Sequence, residues 1–369
     1  MKSKAWKILV SMVLLLSITT VLWAAGKTES GSVVGEDDGK PIKLRLASVS
    51  APPGQFLNSD GVKWWMDEVT KRTDGRVTFE TFWNASVASG TAHLEILTQG
   101  MVDIILGCRI YTPGVTPLGP YHFVIPFGPT DPSLVARATR QMYEEIPAFK
   151  EELAAQNGLL LSNFVTMPYN IISKTPVRTL ADFRGKKIGL IGQYFGRWAT
   201  PAGLVPVVAP MHDRYTLMQT GVTEMDFHPM THMNAFKVQE LAKYLVNVEA
   251  MVGAPWDLII NLEKFNSLPE YIQDIMVEVG KEAELVLADD LRVQWEDRLR
   301  REWEAIGIEF LEFPTEDRAK WASLVEDIPK EWAEEMKARG LPGYEIIHRF
   351  QEITAEMGYE WAREWAVQD

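Results

Sequence analysis

From residue 42 onward the chain switches repeatedly between a hydrophobic period of two and one near 3.6. Lys43–Ser50 (KLRLASVS) alternates polar and apolar side chains and predicts a strand. The helix expected over about 56–71 carries Val62, Trp65, Met66 and Val69 on one stripe. Thr73-Asp74-Gly75 supplies turn chemistry, and Arg76–Phe82 predicts a second strand. A short helix around His93–Thr98 and the apolar run Val102–Leu106 follow, then a strand at Leu159–Thr166. Strands alternating with helices predict an α/β architecture with mainly parallel, doubly wound sheet.

The longest helical signal runs from Leu268 to about Ile306 with only Gly280 inside it. Ser267 and Glu270 have capping-box spacing, which would set its start. Some 38 residues at about 1.5 Å each give roughly 57 Å, longer than one lobe of this size is wide. Such a helix would cross two lobes; the alternative is a pair of helices broken at Gly280. The tail is rich in Trp and Glu, and Trp321, Trp332, Trp361 and Trp365 lie on amphipathic stretches that read as core.

The N-terminus changes the picture. Lys2, Lys4 and Lys7 precede an apolar run from Ile8 to Trp23 and then Ala24-Ala25-Gly26, the pattern of a secretory signal peptide over 1–25. Ser11, Ser17, Thr19 and Thr20 interrupt the run, although an uncleaved anchor is the alternative. Cys108 is the sole cysteine, which excludes a lipidated N-terminal Cys and any intramolecular disulfide. Residues 26–41 (GKTESGSVVGEDDGKP) are too polar to bury a core and read as a flexible linker. The net charge of −13 becomes −16 without the three signal lysines. Nucleic acid, which demands a basic footprint, is therefore not an expected partner.

The middle of the chain carries the most specific motifs. Gly185-Lys-Lys-Ile188 precedes Pro206-Val-Val208 and then Tyr215-x3-Gln219-Thr-Gly-Val222. Around them lie Thr70–Trp83 (TKRTDGRVTFETFW), Gln99–Asp103 (QGMVD), Ile125-Pro-Phe127, Gln239–Leu245 (QELAKYL), Leu258–Asn261 and Ser267-Leu-Pro269. In this order and spacing they resemble the solute-binding proteins of tripartite ATP-independent periplasmic (TRAP) transporters, the DctP family.

The resemblance implies a two-lobed periplasmic solute-binding fold with a long helix spanning both lobes. Lobe I would comprise 42–166 and 255–293, and lobe II 167–254 and 294–369, with crossings near Val165–Met167 and Ala254–Trp256. It implies a monomeric, periplasmic non-enzyme that needs no cofactor. Its partners would be a small-molecule solute, most simply an organic acid, and the large and small TRAP membrane subunits.

The family's contact positions carry over one by one. Its first second-lobe strand usually reads G-x-K-I-R, with an Arg that binds the substrate carboxylate; here that position is Gly189. A second basic position falls on Tyr169, and an acidic or polar one on Cys108. His228 stands where an Asn often meets ligand, and Met211 or His212 where a pocket side chain sits. Gln193 and Trp256 complete the expected contacts. Without its Arg, a carboxylate ligand needs another cation, and Arg109 and Arg197 follow predicted strand ends where α/β proteins bind ligands. The alternative is an uncharged or cationic solute, a polyol, amine or aromatic, walled by Tyr169, Tyr194, Phe195 and Trp256. Asp226 or Glu224 would then supply counter-charge. A sensory ligand-binding role also fits such a scaffold.

Other chemistries fit less well. Gly189, Gly192 and Gly196 have GxxGxxxG spacing, not the dinucleotide fingerprint. His228 and His232 with Asp226 and His212 could be drawn as a metal set, but Pro229 breaks the helical spacing. Cys108 with a histidine is the only obvious nucleophile pair, and no nucleophile motif surrounds it.

Overall fold

A computed structural model describes residues 39–192 and 194–366. The expected signal peptide, most of the linker and Gln193 lie outside the described residues. Among those described, no helix is long and apolar enough to cross a membrane.

Eleven strands form two sheets among the described residues. The first is ordered β2-β1-β3-β10-β4, from β1 (Ile42–Ser48), β2 (Val77–Phe82), β3 (Ile104–Cys108), β4 (Gly158–Phe164) and β10 (Trp256–Asn261). The second is ordered β11-β9-β5-β8-β6-β7. It contains β5 (Tyr169–Ser173), β6 (Lys187–Leu190), β7 (Val205–Val208), β8 (Met225–Pro229), β9 (Tyr244–Asn247) and β11 (Glu309–Glu312).

Both sheets are mixed, not purely parallel. In each, one strand runs against its neighbours: β10 is antiparallel to β3 and β4, and β5 to β8 and β9. The reason is topological. Each reversed strand follows a direct crossing from the other sheet, so it starts at the edge where its neighbours end and must run away from it. The two crossings, residues 165–168 and 248–255, lie side by side. Thr166 N donates to Gly253 O at 2.8 Å, and Tyr169 N to Met251 O at 2.9 Å.

The long helix is continuous from Glu270 to Ala305. It does not break at Gly280, where an added Cβ would fall well inside van der Waals contact of the Leu161 carbonyl oxygen. Glycine there permits close packing on β4. The irregularity comes instead at Val286–Leu291, one π-helical stretch between the two halves. The first half lies on the helix Leu57–Arg72, where Trp65 Nε1 donates to Met276 O at 3.1 Å. The second reaches the helix Met230–Ala235, with Trp303 Nε1 donating to Asn234 Oδ1 at 3.2 Å. It then leads into β11.

The helix begins at Glu270 behind Pro269, and Ser267 does not cap it. Ser267 instead ends the preceding helix Leu262–Asn266, its hydroxyl donating to Lys264 O at 2.7 Å. Trp321, Trp332 and Trp365 are buried, and Trp321 Nε1 donates to Trp198 O at 2.7 Å. The last helix, Gly343–Glu356, reaches back to Pro132–Glu145 beside the first sheet, where Arg349 Nε meets Glu145 at 2.7 Å. The tail thus does not sit on the second sheet alone, because that helix has its apolar face on the first lobe.

Candidate functional site at the facing strand ends

The crossings fix which strand ends face each other. Cys108 ends β3 and pairs with Trp256, the first residue of β10. Across the gap, Tyr169 opens β5 opposite Pro229, and Asn170 lies opposite His228 near the end of β8. Aromatic rings bridge the two sides. Phe56, at the start of the first-lobe helix, stands edge-on to His232 at 4.9 Å and to Trp256 at 5.3 Å. His232 contacts His228 at 5.4 Å, and His228 contacts Tyr169 at 5.6 Å. Phe123 meets Tyr169 at 6.1 Å and Phe195 at 5.6 Å. All these rings are buried. Such walls suit a flat or apolar solute body.

Burial sets the protonation states. It holds His228 well below the usual imidazole range, with His232 and Arg214 adding repulsion, and pushes His232 down to about 3. Both rings are neutral. Burial likewise pushes the Cys108 thiol up to about 12, with Asp257 raising it further. A thiol so protonated is a poor nucleophile.

The two expected cationic anchors are both engaged elsewhere. Arg109 turns into the first lobe, its side chain 8% exposed; Nε bonds Asp257, and Nη1 lies 3.3 Å from Glu152. Burial opposes its charge, and the two carboxylates outweigh that. Gly119 makes room, since a Cβ there would lie 2.5 Å from Arg109 Nε. Arg197 is a surface residue that ties the helix Tyr194–Ala199 to the C-terminal helices through Glu326 at 2.6 Å and Glu331 at 2.7 Å. His212 is 74% exposed beside Asp213, and the metal set drawn with His228 is not assembled among the described residues. Among the described residues no three His, Cys, Asp or Glu side chains are grouped to hold a metal.

The structure therefore brings Cys108, Tyr169, His228 and Trp256 together, with Gly189 one residue inside the end of β6. The side chains of Arg109 and Arg197 are held by carboxylates instead.

One cation at this site was not foreseen. Arg214 begins the helix Arg214–Gln219 and is fully buried. Its Nε donates to Ala209 O at 3.0 Å, and its Nη1 meets Asp226 Oδ2 at 2.7 Å. Asp226 lies directly across the sheet from Gly189. A Cβ on Gly189 would fall 2.5 Å from Arg214 Nη1 and 2.8 Å from Asp226 Oδ2. The space left by the missing side chain at 189 is filled by a guanidinium from the neighbouring helix. Burial raises the Asp226 carboxyl to about 6 against the pull of Arg214. The signal in sequence was Asp226 itself, a lone acid in the buried strand MDFHP, which cannot stay charged without a partner.

Comparison with known proteins shows the family to which the chain belongs. The family model described as "Bacterial extracellular solute-binding protein, family 7" (DctP) matches residues 49–335. The chain belongs to that family of extracellular solute-binding proteins. It is 24% identical over 327 residues to the C4-dicarboxylate-binding periplasmic protein DctP of Rhodobacter capsulatus, covering 86% of this chain and 92% of that one. A solute-binding protein of Albidiferax ferrireducens is 25% identical over 268 residues, 66% of this chain and 75% of the relative. Among solved structures, a TRAP solute-binding protein of Rhodoferax ferrireducens in complex with copurified benzoate superposes with a TM-score of 0.74 at 22% identity, covering 85% of this chain and 98% of the other. A marine-metagenome protein specific for aromatic acids, with bound meta-hydroxyphenylacetate, gives 0.74 at 20% identity, covering 86% of this chain and all of the other. These two likenesses concern the fold. The family and these curated relatives are described as solute-binding proteins.

Proposed function

We propose that this protein is exported, captures a small organic acid between its lobes, and delivers it to the large and small membrane subunits of a TRAP transporter. The observation that carries the reading is one buried guanidinium, Arg214, beside facing strand ends walled by Phe56, Trp256, Tyr169, His228 and His232. An anion needs the first, and an apolar or planar body needs the second. Fold relatives carry benzoate, meta-hydroxyphenylacetate, orotic acid and pyroglutamic acid, all small acids. The lobes are 42–166 with 255–293, and 167–254 with the residues after 293 up to the last helix, Gly343–Glu356, which returns to the first lobe. They hinge at Val165–Met167 and Ala254–Trp256.

The test is a thermal-shift screen of purified protein against acids, polyols, amines and neutral aromatics. A ligand that binds only the native state raises the melting temperature by mass action, by about 2.7 kcal/mol of stability at a hundredfold excess over Kd. Acids are expected to shift it. A screen in which only amines or polyols act would replace the acid reading with the uncharged or cationic one.

A further inference from the structure

Two polar atoms beside Gly189 stand out because neither has a hydrogen-bond partner, although both are fully buried: Arg214 Nη2 and Asp226 Oδ1. The ion pair they belong to is made through the other atoms, Nη1 and Oδ2, at 2.7 Å. Nε is satisfied by Ala209 O. The pair therefore holds itself in place while keeping one charged donor and one charged acceptor unused. The next polar group toward the facing strand ends is His228, whose Nδ1 is 4.0 Å from Asp226 Oδ1, too far for a hydrogen bond. That nitrogen already contacts the Phe227 carbonyl oxygen.

An unmade hydrogen bond on a buried charged group is costly, and a ligand that completes it gains what the free protein lacks. A purely structural ion pair gains most by closing in the two-bonded, fork-to-fork form, which would have used all four atoms. Gly189 adds an independent argument. Any side chain there would displace both partners, since its Cβ would lie 2.5 Å from Nη1 and 2.8 Å from Oδ2. The absence of a side chain at 189 and the placement of Arg214 form one device.

Building on the acid-binding reading, we propose that Arg214 is the carboxylate anchor of this protein. Asp226 holds the guanidinium and accepts a hydrogen bond from an N–H or O–H group that the ligand carries next to its carboxylate. Arg214 Nη2 takes a carboxylate oxygen, and Asp226 Oδ1 takes the neighbouring donor. The preferred solutes are then hydroxy acids, amino or imino acids and ring acids with an adjacent N–H. Acids without a neighbouring donor bind more weakly, because Asp226 then faces a second anion with nothing between them.

The experiment is calorimetric titration of purified protein with pyroglutamate, orotate, glucuronate and lactate as donor-bearing acids, and with benzoate and propionate as donor-free ones. The tightest binder is then carried into the variants. Arg214→Met/Asp226→Asn removes both charges together, so neither is left buried alone. Gly189→Ala leaves both residues present and only crowds them. The first is expected to weaken the tightest acid about a hundredfold, and the second at least tenfold. Asp226→Asn alone should narrow the preference for donor-bearing over donor-free acids. Circular dichroism and melting curves establish that each variant is folded; should the double variant fail to fold, Gly189→Ala carries the test. If no acid binds the wild type, the acid reading itself falls and this inference with it. If acids bind the wild type, and a folded Arg214→Met/Asp226→Asn or Gly189→Ala variant binds them equally well, the anchor lies elsewhere and only this inference is overturned. Tighter binding of donor-free acids would likewise overturn the role given to Asp226.

Discussion

His232 shows how a single buried side chain makes stability depend on pH. It packs against Phe56, Trp256 and His228, and burial lowers its pKa to about 3 from an ordinary value near 6.5. Between those values the unfolded chain takes up a proton that the folded one refuses. The stabilisation is therefore complete above about pH 6.5 and is lost as pH falls toward 3, at about 1.4 kcal/mol per pH unit. His232→Phe keeps the ring and removes the proton site, so its chemical-denaturation midpoints should fall less steeply with acid than those of wild type. Parallel slopes for the two proteins would contradict this assignment. Asp226 acts in the opposite sense. Its pKa of about 6 lies above the usual carboxylate range, so it contributes stability at low pH that is lost as pH rises from about 4 to 6. Relative to Asp226→Asn, wild type should lose roughly 3 kcal/mol across that window, read from denaturation at each pH. What the sequence left hidden is the pairing of Asp226 with Arg214. Arg214 and Asp226 are twelve positions apart and sit on a helix and a strand. Only the register that sets Asp226 across from Gly189 brings them together. Arg109 and Arg197 looked like anchors because they follow strand ends, but position along a strand does not reveal that Asp257 and Glu326 already hold them.

At the scale of elements, the long helix was legible because its apolar spacing runs unbroken from Leu268 to about Ile306. Gly280 offered a break as the alternative, since glycine is a poor helix former, and only the approach to Leu161 O explains it. This gives a signed prediction. On an exposed helix, Gly→Ala stabilises by about 1 kcal/mol. Here Gly280→Ala pushes a methyl into a backbone carbonyl that belongs to β4, and it should destabilise by about 1–3 kcal/mol, measured by urea denaturation. A gain in stability would mean that the helix and β4 are further apart than described. The reversed directions of β5 and β10 were not legible, because strand polarity follows from where the chain crosses and not from any residue pattern. The capping box at Ser267 failed for a related reason: the preceding short helix, ending at Asn266, uses that serine first.

For the whole molecule, the pattern of alternating strands and one long helix was enough to indicate two lobes, and the ordered motifs from Thr70 to Pro269 indicated the family. The paired crossings at 165–168 and 248–255, with the π-helical stretch Val286–Leu291 as a third connection, are where a change of lobe angle would be absorbed. The rings that meet across the lobes are buried. The ligand-free protein should therefore spend time more open than this, and a bound acid should favour closure. Small-angle scattering should report a smaller radius of gyration at saturating ligand, and an unchanged radius would contradict closure. Capture of an acid is tested by calorimetric titration of purified protein with a panel of small organic acids. At least one acid should bind with one-to-one stoichiometry and micromolar or tighter affinity, about −8 kcal/mol or better. This binding should be lost when the ligand's carboxylate is replaced by a neutral amide. Equal binding of acid and amide, or no acid bound across the panel, would contradict it.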